Sequence, residues 1–156
     1  MDKERDKQKK RVVVLAMDGS EESKSAMNWY AENLRKNDDD VVVVHSVHHT
    51  AHYTMGSVWA PIDAQAVVKA FEEESNKGAK TCSQIEEMLK QKEIEGRVIQ
   101  TSGDPGHRIV STADEVGADF IVVGSRGLGT IRRTVLGSVS DFIVHHSNVP
   151  VFICRH

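Results

Sequence analysis

The sequence is poor in the features that mark secreted or membrane-inserted proteins. Among 156 residues there are only two cysteines, Cys82 and Cys154, and their separation fits no metal-binding spacing. No apolar run approaches the roughly 18 residues that a membrane span needs. Charged residues fill positions 1–10, where a signal peptide would be apolar. We therefore expect a reduced, cytoplasmic protein that does not enter a membrane.

An excess of charge of one sign is also lacking. The 20 lysines and arginines are slightly outnumbered by 23 acidic residues, which gives a net charge of −3. Such a balance provides no broad cationic surface, so we expect no nucleic-acid partner. The acids among the first residues offset much of the basic charge there. We therefore predict a charged, solvated tail at 1–10 and a single domain at 11–156.

Short apolar runs rich in β-branched residues recur along the remaining chain. They are too short for buried helices and too continuous for half-exposed strands, so we predict strands that are covered on both faces. The five runs are residues 11–17, 41–47, 96–101, 119–124 and 149–154. Strands that alternate with helices form right-handed βαβ units. The predicted fold is a Rossmann-like three-layer α/β/α sandwich around a five-stranded parallel sheet, in which ligands bind beyond the carboxyl ends of the strands.

Apolar residues at helical spacing predict helices between these strands. The first follows Ser20 as its cap, and the second covers roughly residues 62–92. The third begins with Asp104 as cap and Pro105 at its first position, and ends near Gly117. The apolar stripe of the second helix consists of Phe71, Gly78, Cys82, Ile85 and Leu89.

A glycine-rich segment, "GSRGLGTIRRTVLGSVSD", follows the fourth predicted strand. It is not a P-loop, because no lysine occurs after Lys92. It is not a dinucleotide fingerprint either, because Arg132 stands where the third glycine would be. Small residues let backbone N–H groups approach phosphate, and the first turn of the helix that begins at Gly137 and Ser138 favours an anion. A purely structural glycine-rich turn is the alternative.

The glycine spacing points to a known family. G-x-x-G, nine residues and then G-S resembles the ATP-binding branch of the universal stress proteins. Further matching features are Asp18 in "LAMDGSEES", His45 near the end of the second strand, "GDP" at 103–105, and "ADFIVVGSRG". The resemblance extends from Arg11 to Ile153. It implies an adenine nucleotide alpha hydrolase-like fold and a nucleotide site.

The resemblance assigns roles to residues of this chain. Ala16, Met17 and Asp18 would contact adenine and ribose, and Val123 would pack beside adenine. Ser46 falls where the family has an aliphatic contact, which is a departure from its pattern, and Val44 or Val47 is the alternative for this contact. The phosphate-binding residues would be Gly124, Gly127, Gly137, Ser138, Val139 and Ser140, with charge-assisted contacts from Arg126, Arg132 and Arg133. The alternatives are a helix cap for Asp18 and for Ser138, and ordinary strand core for Val123.

The implied ligand is ATP, with AMP or another adenine nucleotide as alternatives. Mg²⁺ could be held by Asp18, Asp104, Ser138 and Ser140, but no dedicated general base and no resident metal site are predicted. We therefore expect a nucleotide-dependent regulatory protein of the stress response, with no catalytic residue assigned. Slow ATP hydrolysis or autophosphorylation is one alternative. A dimerising scaffold without nucleotide is another.

The last predicted strand concerns assembly. It is apolar and lies at the chain end, where a sheet edge presents unpaired backbone groups. In similar proteins this strand pairs with its twin, so the resemblance implies a homodimer through Val149 to Ile153. An edge blunted by Pro150 and Arg155 is the alternative.

Four histidines occur close together after the second strand. His45, His48, His49 and His52 have no neighbouring Cys, Asp or Glu, and the segment has a loop-like sequence. We expect mobile surface near the pocket mouth. A metal site or a pH-sensitive lid are the alternatives.

Overall fold

A computed structural model describes residues 9–47, 63–125 and 136–155. Within them, five parallel strands form one sheet in the order β3-β2-β1-β4-β5. The strands are β1 (Val12–Ala16), β2 (Asp40–Val47), β3 (Gly96–Ser102), β4 (Phe120–Gly124) and β5 (Val151–Cys154). The chain winds from β1 towards β3 in one direction and from β4 to β5 in the other, so the winding reverses between β1 and β4.

Four helices cover the two faces of this sheet. They are α1 (Glu21–Asn33), α2 (Ala64–Gln91), α3 (Pro105–Val116) and α4 (Ser138–His146). Residues of α1 and α2 belong to the core on one face, and residues of α3 and α4 to the core on the other. The predicted three-layer α/β/α sandwich with a five-stranded parallel sheet is confirmed.

Burial on both faces explains the continuous apolar runs. In β1, Val13 and Leu15 pack into the core beneath α1 and α2, whereas Val14 and Ala16 pack beneath α3 and α4. All four side chains are buried. Burying a side chain of the size of valine or leucine contributes about 1.5–3 kcal/mol, so β1 stabilises both layers. The edge strand β3 has no buried residue, so the expectation that all five strands are covered on both faces is wrong for β3.

The predicted helix boundaries are present in the structure. The Ser20 hydroxyl accepts a hydrogen bond from the Ser23 N–H at 3.2 Å and caps α1. Asp104 caps α3 by accepting from the His107 N–H at 3.0 Å, with Pro105 at the first helical position. Gly117 ends α3 in the left-handed conformation, with φ 64°.

Helix α2 departs from the expected pattern in its first turns. Gly78, Ile85 and Leu89 are buried as the apolar stripe predicts, but Phe71 is 54% exposed. The described core reaches the helix from Gly78 onwards, so periodicity alone overestimated the buried length. No helix within the described ranges is long and apolar enough to cross a membrane.

Strand β5 begins later than expected. The apolar run starts at Val149, but the strand starts at Val151. Pro150 lacks an N–H and contributes only its carbonyl, which accepts from the Ile121 N–H at 2.9 Å. The strand lies at the edge of the sheet beside β4, as predicted.

A polar network closes the amino end of the sheet. The Arg11 guanidinium donates two hydrogen bonds to the Asp39 carboxylate at 2.8 and 2.7 Å, and the Tyr30 hydroxyl donates a third at 2.6 Å. Burial alone would raise the pKa of Asp39, but hydrogen bonds from Arg11, the Lys36 N–H and Tyr30 outweigh it and lower that pKa. Burial, followed by the bond to Asp39, raises the pKa of Tyr30. The network therefore stabilises an ionised carboxylate inside the fold.

Candidate functional site

A cavity of about 220 Å³ lies at the carboxyl ends of β1, β2 and β4, where the winding reverses. It brings together all ten of the predicted binding residues that the structure describes. Its described lining residues are Ala16, Met17, Asp18, Ser23, Val44, Ser46, Pro105, Ile109, Val123, Gly124, Gly137, Ser138, Val139 and Ser140.

Two hydrogen bonds fix the end of β1 at the floor of the cavity. The Met17 N–H donates to the Val44 carbonyl at 3.0 Å, and the Met17 carbonyl lies 2.9 Å from Nδ1 of buried His45. Since a carbonyl can only accept, Nδ1 of His45 holds the hydrogen. His45 thus orients the backbone next to Asp18 and is absent from the described cavity lining.

Asp18 holds the loop between β1 and α1. Its Oδ1 accepts from the Ser20 N–H at 2.9 Å and from the Ser20 hydroxyl at 2.5 Å. The N-cap of α1 is Ser20, so the alternative that Asp18 caps this helix is wrong. Because the same Ser20 hydroxyl also accepts from the Ser23 N–H, Asp18 orients the cap of α1 and is at the same time a lining residue of the cavity.

The amino end of α4 differs from that of the other helices. Side chains of Ser20, Asp63 and Asp104 cap α1, α2 and α3. The N-cap of α4 is Gly137, and no side chain of the described residues caps this helix. Its first-turn N–H groups have no partner within the helix and carry a partial positive charge. Since the first turn lines the cavity, this helix end can accept an anion.

Hydrogen bonds join the two ends of the glycine-rich loop. The Gly137 N–H donates to the Ser125 carbonyl at 2.7 Å. The Ser140 hydroxyl lies 3.1 Å from the Ser125 carbonyl and 2.9 Å from the Gly137 carbonyl. Ser138 is the first residue of α4 and not its cap, so the cap alternative for Ser138 is wrong. These bonds therefore hold the end of β4 and the start of α4 next to each other.

One wall of the cavity consists of residues from β2 and α3. Val44 and Ser46 come from β2, and Pro105 and Ile109 come from α3. The Ser46 hydroxyl donates to the Gly103 carbonyl at 3.1 Å, and the Gly103 N–H donates to the Val47 carbonyl at 3.2 Å. These bonds hold the turn that precedes α3 and thereby position its first residues.

Of the two alternatives to Ser46, Val44 lines the cavity and Val47 is absent from the described lining. Sequence reasoning missed the three remaining lining residues. Pro105 was predicted only as the first position of α3, whereas Ile109 in the buried face of α3 and Ser23 in the first turn of α1 were assigned no role at a site. The fact that "GDP" directly follows a strand was the available signal, since it places the start of α3 at the carboxyl edge of the sheet. Val123 packs in the core beneath α3 and α4, as its strand-core alternative predicts, and it also lines the cavity.

Several predicted residues lie outside the described ranges. They are Arg126, Gly127, Arg132, Arg133, His48, His49 and His52. Of the residues considered for Mg²⁺, Asp104 is engaged as the cap of α3 and the Ser140 hydroxyl is engaged at the loop ends. The described part of the chain contains no group of three or more His, Cys, Asp and Glu residues placed to hold a metal ion.

A parallel α/β sheet with a cavity at its winding reversal is the architecture in which α/β proteins commonly bind ligands beyond the strand ends. Comparison with known proteins specifies the class further. The universal stress protein family model matches residues 10–155, and the chain belongs to this family.

Individual relatives agree with this assignment. Universal stress protein YxiE from Bacillus subtilis is 29% identical over 147 residues, which cover 92% of this chain and 97% of the relative. The structure of universal stress protein UspA from Lactobacillus plantarum has a TM-score of 0.77 at 17% identity and covers 93% of this chain and 97% of that one. A family protein from Arabidopsis thaliana, solved with AMP bound, has a TM-score of 0.66 at 22% identity, with 94% and 92% covered.

Proposed function

We propose that a single domain at 11–156 binds an adenine nucleotide, ATP or alternatively AMP, and acts as a dimeric, nucleotide-dependent module of a cytoplasmic stress response. The observation on which this depends is the amino end of α4, which lies in the cavity and which no side chain of the described residues caps. Natural helices usually have a capping side chain, and the other three described helices have one. A phosphate group would satisfy the same N–H groups in place of a cap.

The cavity also supports one orientation of the ligand. Phosphates at Gly124 and the first turn of α4 would place the ribose above β1, because β1 lies between β4 and β2 in the sheet. The base would then lie against the apolar side chains of Val44 and Ile109. Asp18 is within the same cavity, and in this orientation its carboxylate could accept from a ribose hydroxyl.

Family membership supports the choice of an adenine nucleotide. The Arabidopsis thaliana relative of the same fold was solved with AMP bound. The proposal extends that chemistry to this chain and adds ATP, because the uncapped α4 end offers more than one N–H donor to a phosphate chain.

Direct binding tests the proposal. Nucleotide released from freshly purified protein would be identified by mass spectrometry, and nucleotide-free protein would be titrated calorimetrically with ATP, AMP and GTP. We expect saturable binding of an adenine nucleotide, weakened in Asp18→Ala and unchanged in the matched control Asp114→Ala, which lies on the exposed side of α3. Absence of saturable binding by any adenine nucleotide would leave the scaffold alternative.

Turnover is tested separately. Phosphate release in the presence of Mg²⁺ would be compared between the parent protein and Asp18→Ala. Release well above the buffer rate that disappears in the variant would favour the slow ATPase alternative. Bound ATP that stays intact over many hours supports a regulatory nucleotide.

The proposed homodimer uses the C-terminal strand, from Val149 to Ile153. The carbonyls of Pro150 and Cys154 accept from N–H groups of Ile121 and Ser125 on the β4 side. Backbone N–H and C=O groups alternate in direction along a strand. Those of Val151 and Ile153 therefore point to the open edge, where they can pair with another strand.

A charge at the edge tests this interface. Phe152 is 37% exposed, and Phe152→Glu should give a folded monomer by light scattering if the edges pair. Val68→Glu is the matched control, because Val68 is an exposed apolar residue of α2, at 56% exposure. A Phe152→Glu protein that remains folded and dimeric would refute the interface.

A further inference from the structure

The Ser46 hydroxyl has its single hydrogen engaged. Its O–H donates to the Gly103 carbonyl at 3.1 Å, and a carbonyl cannot donate in return. The oxygen keeps its lone pairs, and Ser46 is a lining residue of the cavity. Towards a ligand, Ser46 therefore acts as a hydrogen-bond acceptor and not as a donor.

The surroundings of Ser46 make this acceptor selective. Along the sheet, β1 separates it from β4 and the α4 end, so it lies at the end of the cavity away from the proposed phosphate position. The other described residues of this wall, Val44, Pro105 and Ile109, present apolar side chains. In an apolar wall, a single acceptor discriminates between ligand groups, because an acceptor facing it stays unpaired and desolvated.

We propose that Ser46 selects a purine with an exocyclic amino group at its six-position over one with an oxo group there. The inference rests on the proposed adenine-nucleotide site. An amino group donates to the Ser46 oxygen, whereas the oxo group of hypoxanthine offers only lone pairs to it. ATP and ITP have the same triphosphate and differ at the six-position, where ATP donates and ITP accepts, and at N1, which carries a hydrogen only in ITP.

A neighbouring threonine provides a matched control. Thr101 is the register partner of Ser46 on β3, so its side chain projects from the same face of the sheet. Its Oγ1 is buried and has no hydrogen-bond partner within the described residues. Thr101→Val removes a hydroxyl of the same type, one strand away, that is not in the described cavity lining. It is expected to leave nucleotide selectivity unchanged.

The experiment measures dissociation constants of ATP and ITP by calorimetry for the parent protein, Ser46→Ala, Ser46→Thr and Thr101→Val. One hydrogen bond of ordinary strength predicts about a tenfold preference for ATP in the parent. The ratio should fall to about one in Ser46→Ala and persist in Ser46→Thr and Thr101→Val. Circular dichroism melts would verify that each variant is folded.

Different failures have different meanings. Equal affinities for ATP and ITP in the parent, or an unchanged ratio in Ser46→Ala, would overturn the role of Ser46 and leave the nucleotide site intact. A uniform loss of both affinities in Ser46→Ala, with the ratio kept, would also overturn it, because that result indicates a role only in holding the Gly103 turn. Loss of the ratio in Thr101→Val would show that selectivity is not specific to the Ser46 acceptor. A parent protein that binds neither nucleotide would refute the proposed function as well.

Discussion

Replacing Gly137 with aspartate should stabilise the fold and weaken nucleotide binding at the same time. Gly137 is the N-cap of α4, with φ −64° and ψ 155°, an extended conformation that aspartate adopts without strain. A carboxylate there would accept from the N–H of Val139 or Ser140 and would interact favourably with the helix dipole. Relative to glycine, we expect a gain of about 0.5–1 kcal/mol in the free energy of unfolding.

The same carboxylate would exclude a phosphate. Two like charges about 4 Å apart repel by about 1 kcal/mol in water and about 4 kcal/mol at an effective dielectric constant of 20. The added side chain would also occupy the N–H groups that the phosphate needs. Affinity for ATP should therefore fall by at least about fivefold for each unit of phosphate charge involved.

The assay pairs urea denaturation with calorimetric titration of ATP. Gly137→Ala is the control, since it adds a Cβ without a cap or a charge. It should bind ATP better than Gly137→Asp does. The reasoning would be refuted if Gly137→Asp bound ATP within twofold of the parent, or if it were less stable than Gly137→Ala.

Two further predictions concern the scaffold around the cavity. Asp39→Asn should lower the free energy of unfolding by about 3 kcal/mol near neutral pH, because it leaves Arg11 without its buried partner. The folded pKa of Asp39 lies below its unfolded value, so this contribution is present above about pH 4 and is lost as the pH falls through the folded pKa. In urea titrations, the difference in free energy of unfolding between Asp39→Asn and the parent should therefore be smaller at pH 3 than at pH 7. An equal difference at the two pH values would contradict the assignment. A Cβ added to Gly106 would lie 2.6 Å from Cδ1 of Phe142, so Gly106→Ala should cost about 1–3 kcal/mol of stability. In the double variant with Phe142→Ala that cost should largely disappear, and strict additivity of the two single effects would show that the contact is unimportant.

The sequence predicted the layers of the fold, and which described residues line the cavity, better than the limits of individual elements. Strands buried on both faces leave continuous apolar runs, and the cavity-lining glycines Gly124 and Gly137 stand at a spacing that the sequence shows directly, so both are visible in one dimension. The start of β5 depended on which backbone groups of Pro150 reach β4, and the exposure of Phe71 depended on where the core ends beneath α2. Neither follows from periodicity.

The missed lining residues have a related cause. Pro105 and Ile109 enter the cavity because α3 packs across the sheet beside β2, which is a long-range property of the fold. Locally, Pro105 fits the start of a helix and Ile109 its buried face, and both residues have these positions in α3. The same holds for the caps of α1 and α4, since whether Asp18 or Ser20, and Gly137 or Ser138, occupies the N-cap is decided by backbone geometry.

The central claim, that the uncapped end of α4 holds the phosphates of an adenine nucleotide, is tested most directly by amide chemical shifts. ATP would be titrated into ¹⁵N-labelled protein, with adenosine as the matched ligand that lacks phosphate. We predict that ATP shifts the amides of Ser138, Val139 and Ser140 strongly, whereas adenosine affects mainly the amides of Met17 and Asp18. Saturation with ATP that leaves the α4 amides unshifted would contradict the claim.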